Sequence, residues 1–416
     1  MPPQEDIPLS QPRAIGMPGR VELIALMAMM LATVAFSIDA MLPALPDMAA
    51  DLNPSAANTV QLVVTIFVLG LGVGTLFTGP LSDSFGRKPI VLAGASIYIA
   101  AAALAAQAES LEMLLAARML QGLGAAGPRV VAVAIIRDLF VGRQMAQIMS
   151  FVMMIFTIVP AVAPLVGAQL ISVAGWPAIF WAFVLFAGVV SLWMMLRLPE
   201  TLPATARRPF RAPALLAAVK EMLRHPVVRL SIAVQCLVLG MLFATISSIQ
   251  PIYEVTFQKA DSFPLWFGAT AILSASGSVL NAMLVIRIGM RRMVSVMMML
   301  QIGVSGLLVM LELGGLSGTA LFAAFFFWQF VAFFQAGMTI GNLNAIAMEP
   351  MGHIAGMAAS IIGAISTVAA VVLAVPVGLM FNGTALPLTV GVMLYAVAAL
   401  VLMRVMRRAE IAMESE

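Results

Sequence analysis

Twelve long apolar runs, most of them parted by only a few polar residues, constrain this chain more than any other feature of its sequence. They span 22–45, 59–81, 89–108, 111–136, 144–171, 177–197, 227–252, 263–286, 291–313, 318–347, 354–380 and 384–405. Each is near the ~20 apolar residues that a helix needs to cross the hydrocarbon of a bilayer. Backbone in lipid has no water to bond, so each run must close its hydrogen bonds within itself, as a helix. Short connections make neighbouring helices antiparallel. A soluble alternative fails on polar surface: 10% of the 416 residues are charged and 62% are hydrophobic, where a soluble domain carries roughly 25% charge. The expected fold is all-α, with twelve transmembrane helices.

The basic residues orient the runs. Of 22 Lys and Arg, all but three lie at the N-terminus, in turns after even-numbered runs, between runs six and seven, or at the C-terminus. The exceptions are Arg118 and Arg129, inside run four, and Lys259, after run seven. The opposite loops hold Asp47, Asp51, Glu109, Glu112, Glu254, Asp261 and Glu312. Basic loops stay on the cytoplasmic side, so both termini are expected there. The same distribution argues against nucleic acid despite the net charge of +3, because the basic residues mark one membrane face rather than a patch. Chemistry that needs a clustered nucleophile, base or metal set has little to draw on. Cys236 is the one cysteine, His225 and His353 sit at run ends, and no phosphate-binding loop motif occurs. No enzyme activity, metal or cofactor is expected.

Residues 1–20 are polar and rich in proline and are expected to be disordered on the cytoplasmic side. Residues 21–197 and 227–405 each hold six runs, and 406–416 form a short tail. The linker, 198–226, carries Arg207, Arg208 and Arg211. Leu215, Leu216, Val219, Met222 and Leu223 follow at helical spacing, with Lys220, Glu221 and Arg224 opposite. That pattern predicts an amphipathic helix lying on the membrane surface. A faint repeat relates the halves: Leu81, Gly86, Lys88 and Val91 recur 203 residues later as Leu284, Gly289, Arg291 and Val294. Two six-helix pseudo-repeat bundles with a site between them are the architecture of many secondary transporters.

Four stretches carry the candidate chemistry. Asp39, in run one, is the only carboxylate well inside an apolar run. Intramembrane ionisable residues are functional candidates by default, because burying their charge is costly. The competing reading is an Asp that caps a kink before Pro43. In run four, Arg118, Gln121, Gly122, Ala125 and Arg129 share one helix face. At ~1.5 Å per residue, Asp39 and Arg118 both lie ~10 Å below the outer surface, which puts a pair, direct or through water, within reach. A proton or a cationic substrate would compete for that carboxylate; the alternative is an ion pair that merely joins two helices. Run five carries Pro160, Pro164 and Gly167 on one small face, suited to a seam along which two halves rock. Run ten carries Phe326, Gln329, Phe330 and Phe333 on one face. Aromatic walls with a few amides suit flat organic ligands, although such rings also face lipid or neighbouring helices. Phe36, Gln121, Arg129, Gln235, Gln250 and Tyr253 complete the candidate cavity set. Between runs two and three, Gly79-Pro-Leu-Ser-Asp83-Ser-Phe-Gly86-Arg87-Lys88-Pro89 forms a charged hairpin turn.

That turn resembles the signature between helices two and three of the major facilitator superfamily, with Ser84 where the family usually has Arg. Arg118-x-x-Gln121-Gly122-x-Gly124-Ala125 is similar to its fourth-helix motif. Pro160 to Ala168 resembles its fifth-helix antiporter motif, with Ala168 in place of a usual Gly. Asp39 to Pro46, Arg118 to Asp138 and Gln250-Pro-Ile-Tyr253-Glu254 resemble the bicyclomycin/chloramphenicol-resistance (Bcr/CflA) branch of drug:proton antiporters. The resemblance implies a monomeric carrier of the bacterial inner membrane that exchanges protons for small amphiphilic molecules by alternating access. It assigns Asp39 to the proton site with Arg118 beside it. Gly79, Asp83, Gly86, Arg87, Lys88, Pro160, Pro164 and Gly167 would serve gating, and Asp83 would meet Arg137 or Arg129 in a charge network. A facilitator or importer of a small metabolite is the alternative on the same fold.

Overall fold

The computed structural model describes residues 18–207 and 209–414; most of the segment expected to be disordered lies outside them. The first half contains α1 (Arg20–Asp39), a short α2 (Leu45–Leu52), α3 (Leu62–Phe85), α4 (Arg87–Ala105), α5 (Leu111–Leu139), α6 (Gly142–Ala174) and α7 (Pro177–Arg197). The linker contains α8 (Ala212–Arg224). The second half contains α9 (Pro226–Pro251), α10 (Phe263–Ile288), α11 (Met290–Leu313), α12 (Gly318–Met348), α13 (Ala355–Leu379) and α14 (Leu386–Glu414). Eleven stretches among the described residues are long and apolar enough to cross a bilayer, and one of them, Gly318–Leu379, is 62 residues long. It holds both α12 and α13, separated by a 3-10 turn with Pro350 near its start, so the helices make twelve crossings.

Three expectations are corrected. Run one was expected to continue as one helix to Leu45, but α1 stops at Asp39. The cause is local: Pro43 supplies no N–H and its ring collides with the carbonyl four residues back, which is that of Asp39. The chain turns, makes a 3-10 segment at Leu42–Ala44 and re-enters α-helix as α2. The linker helix α8 exists, but its apolar face does not lie wholly on the membrane. Ala218 and Met222 are buried with Val228, Ile232, Ala358 and Ile361 of the second half, while Leu216 and Leu223 stay exposed. The last run also continues as helix through the expected tail to Glu414.

The halves meet along two seams. Down α3 and α13, Gly72 faces Thr367 and Val368, Thr75 faces Gly363, and Gly79 faces Ser360. Small side chains let these backbones approach. In the other seam, Gly268 of α10 packs on the Ala161 carbonyl of α6. Within the first half, Gly167 packs on the Ala40 carbonyl just beyond α1, an approach that leaves no room for a Cβ. We call the side with the basic loops the basic face and its opposite the acidic face. Towards the acidic face one apolar core runs through both halves, joining Ile38, Phe67 and Phe183 to Met241, Ile249, Phe263 and Val371. Near the basic face the first half keeps its own core, around Leu26, Val131, Ile135 and Met194. The halves thus share an apolar core towards the acidic side, while the α3–α13 seam continues to the basic side at Gly79 and Ser360.

Candidate functional site

A cavity of about 470 Å³ lies between the halves. The first half lines it with Leu31, Val34, Ile38, Asp39, Arg129, Thr157 and Pro160, among others. The second half lines it with Leu239, Leu242, Phe243, Ile246, Phe267, Ser274, Phe333 and Ile340. All of the charge in this wall belongs to the first half. Asp39 is 5% exposed and has no hydrogen-bond partner among the described residues. The α1 terminus places it: the helix ends where the two halves meet, so its last side chain reaches the cavity.

Arg118 sits beside the end of α1, but not as the partner of Asp39. No ion pair joins the two, contrary to what equal depth suggested. The guanidinium is fully buried and donates to the Ser37 carbonyl at 3.0 Å, the Val63 carbonyl at 3.1 Å and Gln121 Oε1 at 2.6 Å. It lies 4.2 Å from the Phe67 ring centroid, which adds a cation–π contact. The Ser37 carbonyl needs such a donor because α1 ends before it can be satisfied along the helix. Ser37 Oγ also lies 2.5 Å from the Tyr98 hydroxyl of α4. Arg118 and Tyr98 thus hold the residue two positions before Asp39, while Arg129 is the arginine that shares the cavity with the carboxylate.

The remaining candidates separate. Phe333 and Pro160 line the cavity. Phe36 packs on Phe183 and Phe186 inside the first half. Gln121 holds Arg118. Gln235 donates to Asn344 Oδ1 at 3.3 Å, between α9 and α12. The Tyr253 hydroxyl donates to Gln329 Oε1 at 2.8 Å within the second half. Phe326 packs on Trp266 and Phe330 on Phe327 and Phe334. Gln250 lines a separate cavity nearer the acidic face. Pro164 is buried in α6 beside the close approach at Gly167. The residues Phe243, Ile246 and Phe267 were not singled out by sequence; nothing in an apolar run distinguishes a cavity wall from a lipid face.

On the basic face the hairpin turn is tied down by ions. Arg87 donates through Nη1 to Asp83 at 2.5 Å and Ser82 at 2.7 Å, and through Nε to Asp138 at 2.8 Å. Asp83 therefore pairs with Arg87, not with Arg137 or Arg129; Arg137 lines a small cavity with Asp83 and Arg87. Gly86 has φ +105°, a conformation that lets α3 stop and α4 start at once. Glu200, at the start of the linker, accepts the backbone N–H groups of Arg87 at 2.9 Å and Lys88 at 3.1 Å. It caps the N-terminus of α4, where free N–H groups and the helix dipole favour a carboxylate. Lys88 Nζ donates to the Met195 carbonyl. Asp138 and Glu200 are the members of this network that sequence reasoning missed; being charged beside conspicuous arginines was their only signal.

Residues 26–375 match the family model described as Major Facilitator Superfamily. The chain is 29% identical over 381 residues to a bicyclomycin resistance protein homolog of Haemophilus influenzae, covering 89% of this chain and 91% of that one. It is 37% identical over 168 residues to the multidrug resistance protein MdtL of Escherichia coli O9:H4, covering 40% of this chain and 43% of the relative. Among solved structures, a D-xylose-proton symporter superposes with a TM-score of 0.74 at 14% identity, covering 92% of this chain and 97% of that one. The human organic anion transporter MFSD10 superposes with a TM-score of 0.65 at 18% identity, covering 93% and 100%. At these identities the structural likeness speaks to the fold.

Proposed function

This chain belongs to the Major Facilitator Superfamily, a family of membrane transporters rather than enzymes, and from that premise we propose that it exports small amphiphilic molecules in exchange for protons. The observation that carries the reading is Asp39: an unpaired carboxylate in the wall of the central cavity, facing an apolar and aromatic surface. The names of its relatives, a bicyclomycin resistance homolog and a multidrug resistance protein, support efflux of drug-like compounds. Taking the basic face as cytoplasmic, cargo loads into the cavity from that side. An amphiphile places its apolar part on Phe243, Phe267 and Phe333 and its polar or cationic part towards Asp39. When the halves rock, a proton from the other side takes the carboxylate and cargo leaves. Coupling requires that proton and cargo favour different states of one group, so that neither binds without biasing the swing. Arg118 acts as a positioning residue, holding the end of α1 through Ser37.

Asp39→Asn in everted membrane vesicles tests this. Substrate accumulation driven by a pH gradient is expected to fall to background; full retention would remove the carboxylate from coupling. A facilitator or importer on the same fold is separated by a protonophore: concentrative flux that survives collapse of the gradient favours it.

A further inference from the structure

A second cavity, about 310 Å³, lies between the halves nearer the acidic face, away from Asp39. The first half supplies Leu45 and Ala49 around α2, then Gln61; the second supplies Gln250, Glu254 and Phe381. Its size is at the lower end of ligand pockets. Glu254 is the only ionisable residue in the wall. One of its carboxylate oxygens accepts Gln250 Nε2 at 3.0 Å, and the other has no partner among the described residues. Gln61 is 4% exposed; its Oε1 accepts the Ser248 hydroxyl at 3.3 Å, and its Nε2 has no partner. A hydroxyl donates and accepts, so turning the amide over would only orphan Oε1 instead. An unpaired buried amide atom is costly unless something satisfies it. Ala50, Ala57 and Val255 are exposed lining residues, so the cavity is open to the acidic side.

We propose that this cavity binds, from the acidic face, an organic ammonium ion that also carries an apolar group and a hydrogen-bond acceptor. The ammonium sits on the free oxygen of Glu254, the acceptor takes Gln61 Nε2, and the apolar part lies against Leu45, Ala49 and Phe381. Because the wall comes from both halves, a bound ion joins them. Parting the acidic face would also break the Gln61–Ser248 bond and the bond from Asn58 Nδ2 to the Phe381 carbonyl, 2.8 Å. The ion must therefore favour the state in which that face is shut. This last step rests on the alternating-access reading above; the binding step does not.

Titration calorimetry of the purified full-length protein with benzoylcholine, which combines a fixed ammonium, an ester carbonyl and a phenyl ring, tests the site. Saturable binding is expected, with a component weakened about tenfold or more by Glu254→Gln, the scale of one charge–charge contact near a protein surface, and that component retained in Asp39→Asn. Ala49→Phe, which fills the cavity without touching the carboxylate, is expected to abolish it. Absence of saturable binding, or binding lost in Asp39→Asn and kept in Glu254→Gln and Ala49→Phe, overturns the site. Spin labels at the exposed positions Asp47 and Asp261, in a Cys236→Ser background, test the conformational step. Benzoylcholine is expected to narrow their distance distribution towards the short end. An unchanged distribution alongside Glu254-dependent binding overturns that step and leaves the site standing.

Discussion

Inside the first half the buried polar groups include charged ones: Asp39 and Arg118 are almost wholly out of water, and Arg129 lines the cavity near Asp39. Inside the second half they are neutral. Tyr253 donates to Gln329, and Trp328 Nε1 and Gln301 Nε2 both donate to Ser305, amid stacked and edge-on phenyl rings. Tyr98 and Gln301 stand 203 residues apart, the spacing of the sequence repeat, and each anchors its own network. The same architecture has thus been filled twice with different chemistry. A carboxylate can change charge and so bias a two-state equilibrium. Amides and aromatic rings cannot, but they offer a broad wall that tolerates many shapes. Under the proposed function, proton exchange falls to the first half, and cargo contact is shared by apolar walls from both.

That division can be broken in several ways. The largest effect is expected from Asp39→Asn: gradient-driven transport falls to background, while cargo binding measured without a gradient survives for uncharged compounds. Loss of both together would mean that the carboxylate serves binding alone. Next is Arg118→Gln, which leaves the Ser37 and Val63 carbonyls unpaired at roughly 1–3 kcal/mol each. Thermal unfolding in detergent should fall accordingly. A double-mutant cycle with Asp39→Asn should give a coupling within about 0.5 kcal/mol of zero, as for groups that do not share a bond; a large coupling would restore the ion pair that the structure lacks. Phe333→Ala removes part of the neutral wall and should weaken apparent cargo affinity by roughly 5- to 100-fold, from ~1–3 kcal/mol of lost burial. The change should differ among compounds and leave the number of protons exchanged per cargo unaltered.

The smallest effect separates the two hairpin turns. At Gly86 the linker carboxylate Glu200 caps the following helix. At the equivalent Gly289, φ +85°, no such cap forms, and Arg291 pairs instead with Glu410 of α14 at 2.5 Å. Glu200→Gln should cost ~0.5–2 kcal/mol, the range for a helix cap, read as a lower unfolding temperature, whereas Glu410→Gln removes a half-buried ion pair with Arg291 and should cost about 1 kcal/mol.

Sequence alone determined the helices, because hydrogen bonding along a helix in lipid is local and the apolar run that permits it is visible residue by residue. The early end of α1 was legible only as an alternative, a kink before Pro43, although Pro43 acts on the carbonyl four positions back. Depth was legible as well, at ~1.5 Å per residue. Rotation about a helix axis was not, and that is where the site was decided. Asp39 and Arg118 do stand at similar height, yet Arg118 turns to backbone carbonyls while Arg129, further along the same helix, shares the cavity with the acid. Gln250 and Glu254 were equally visible in the chain, but only the packing of α9 against the turn before α3 puts them opposite Gln61. Which side chains face each other across the seam depends on how two bundles dock, and that is settled by contacts between residues hundreds of positions apart.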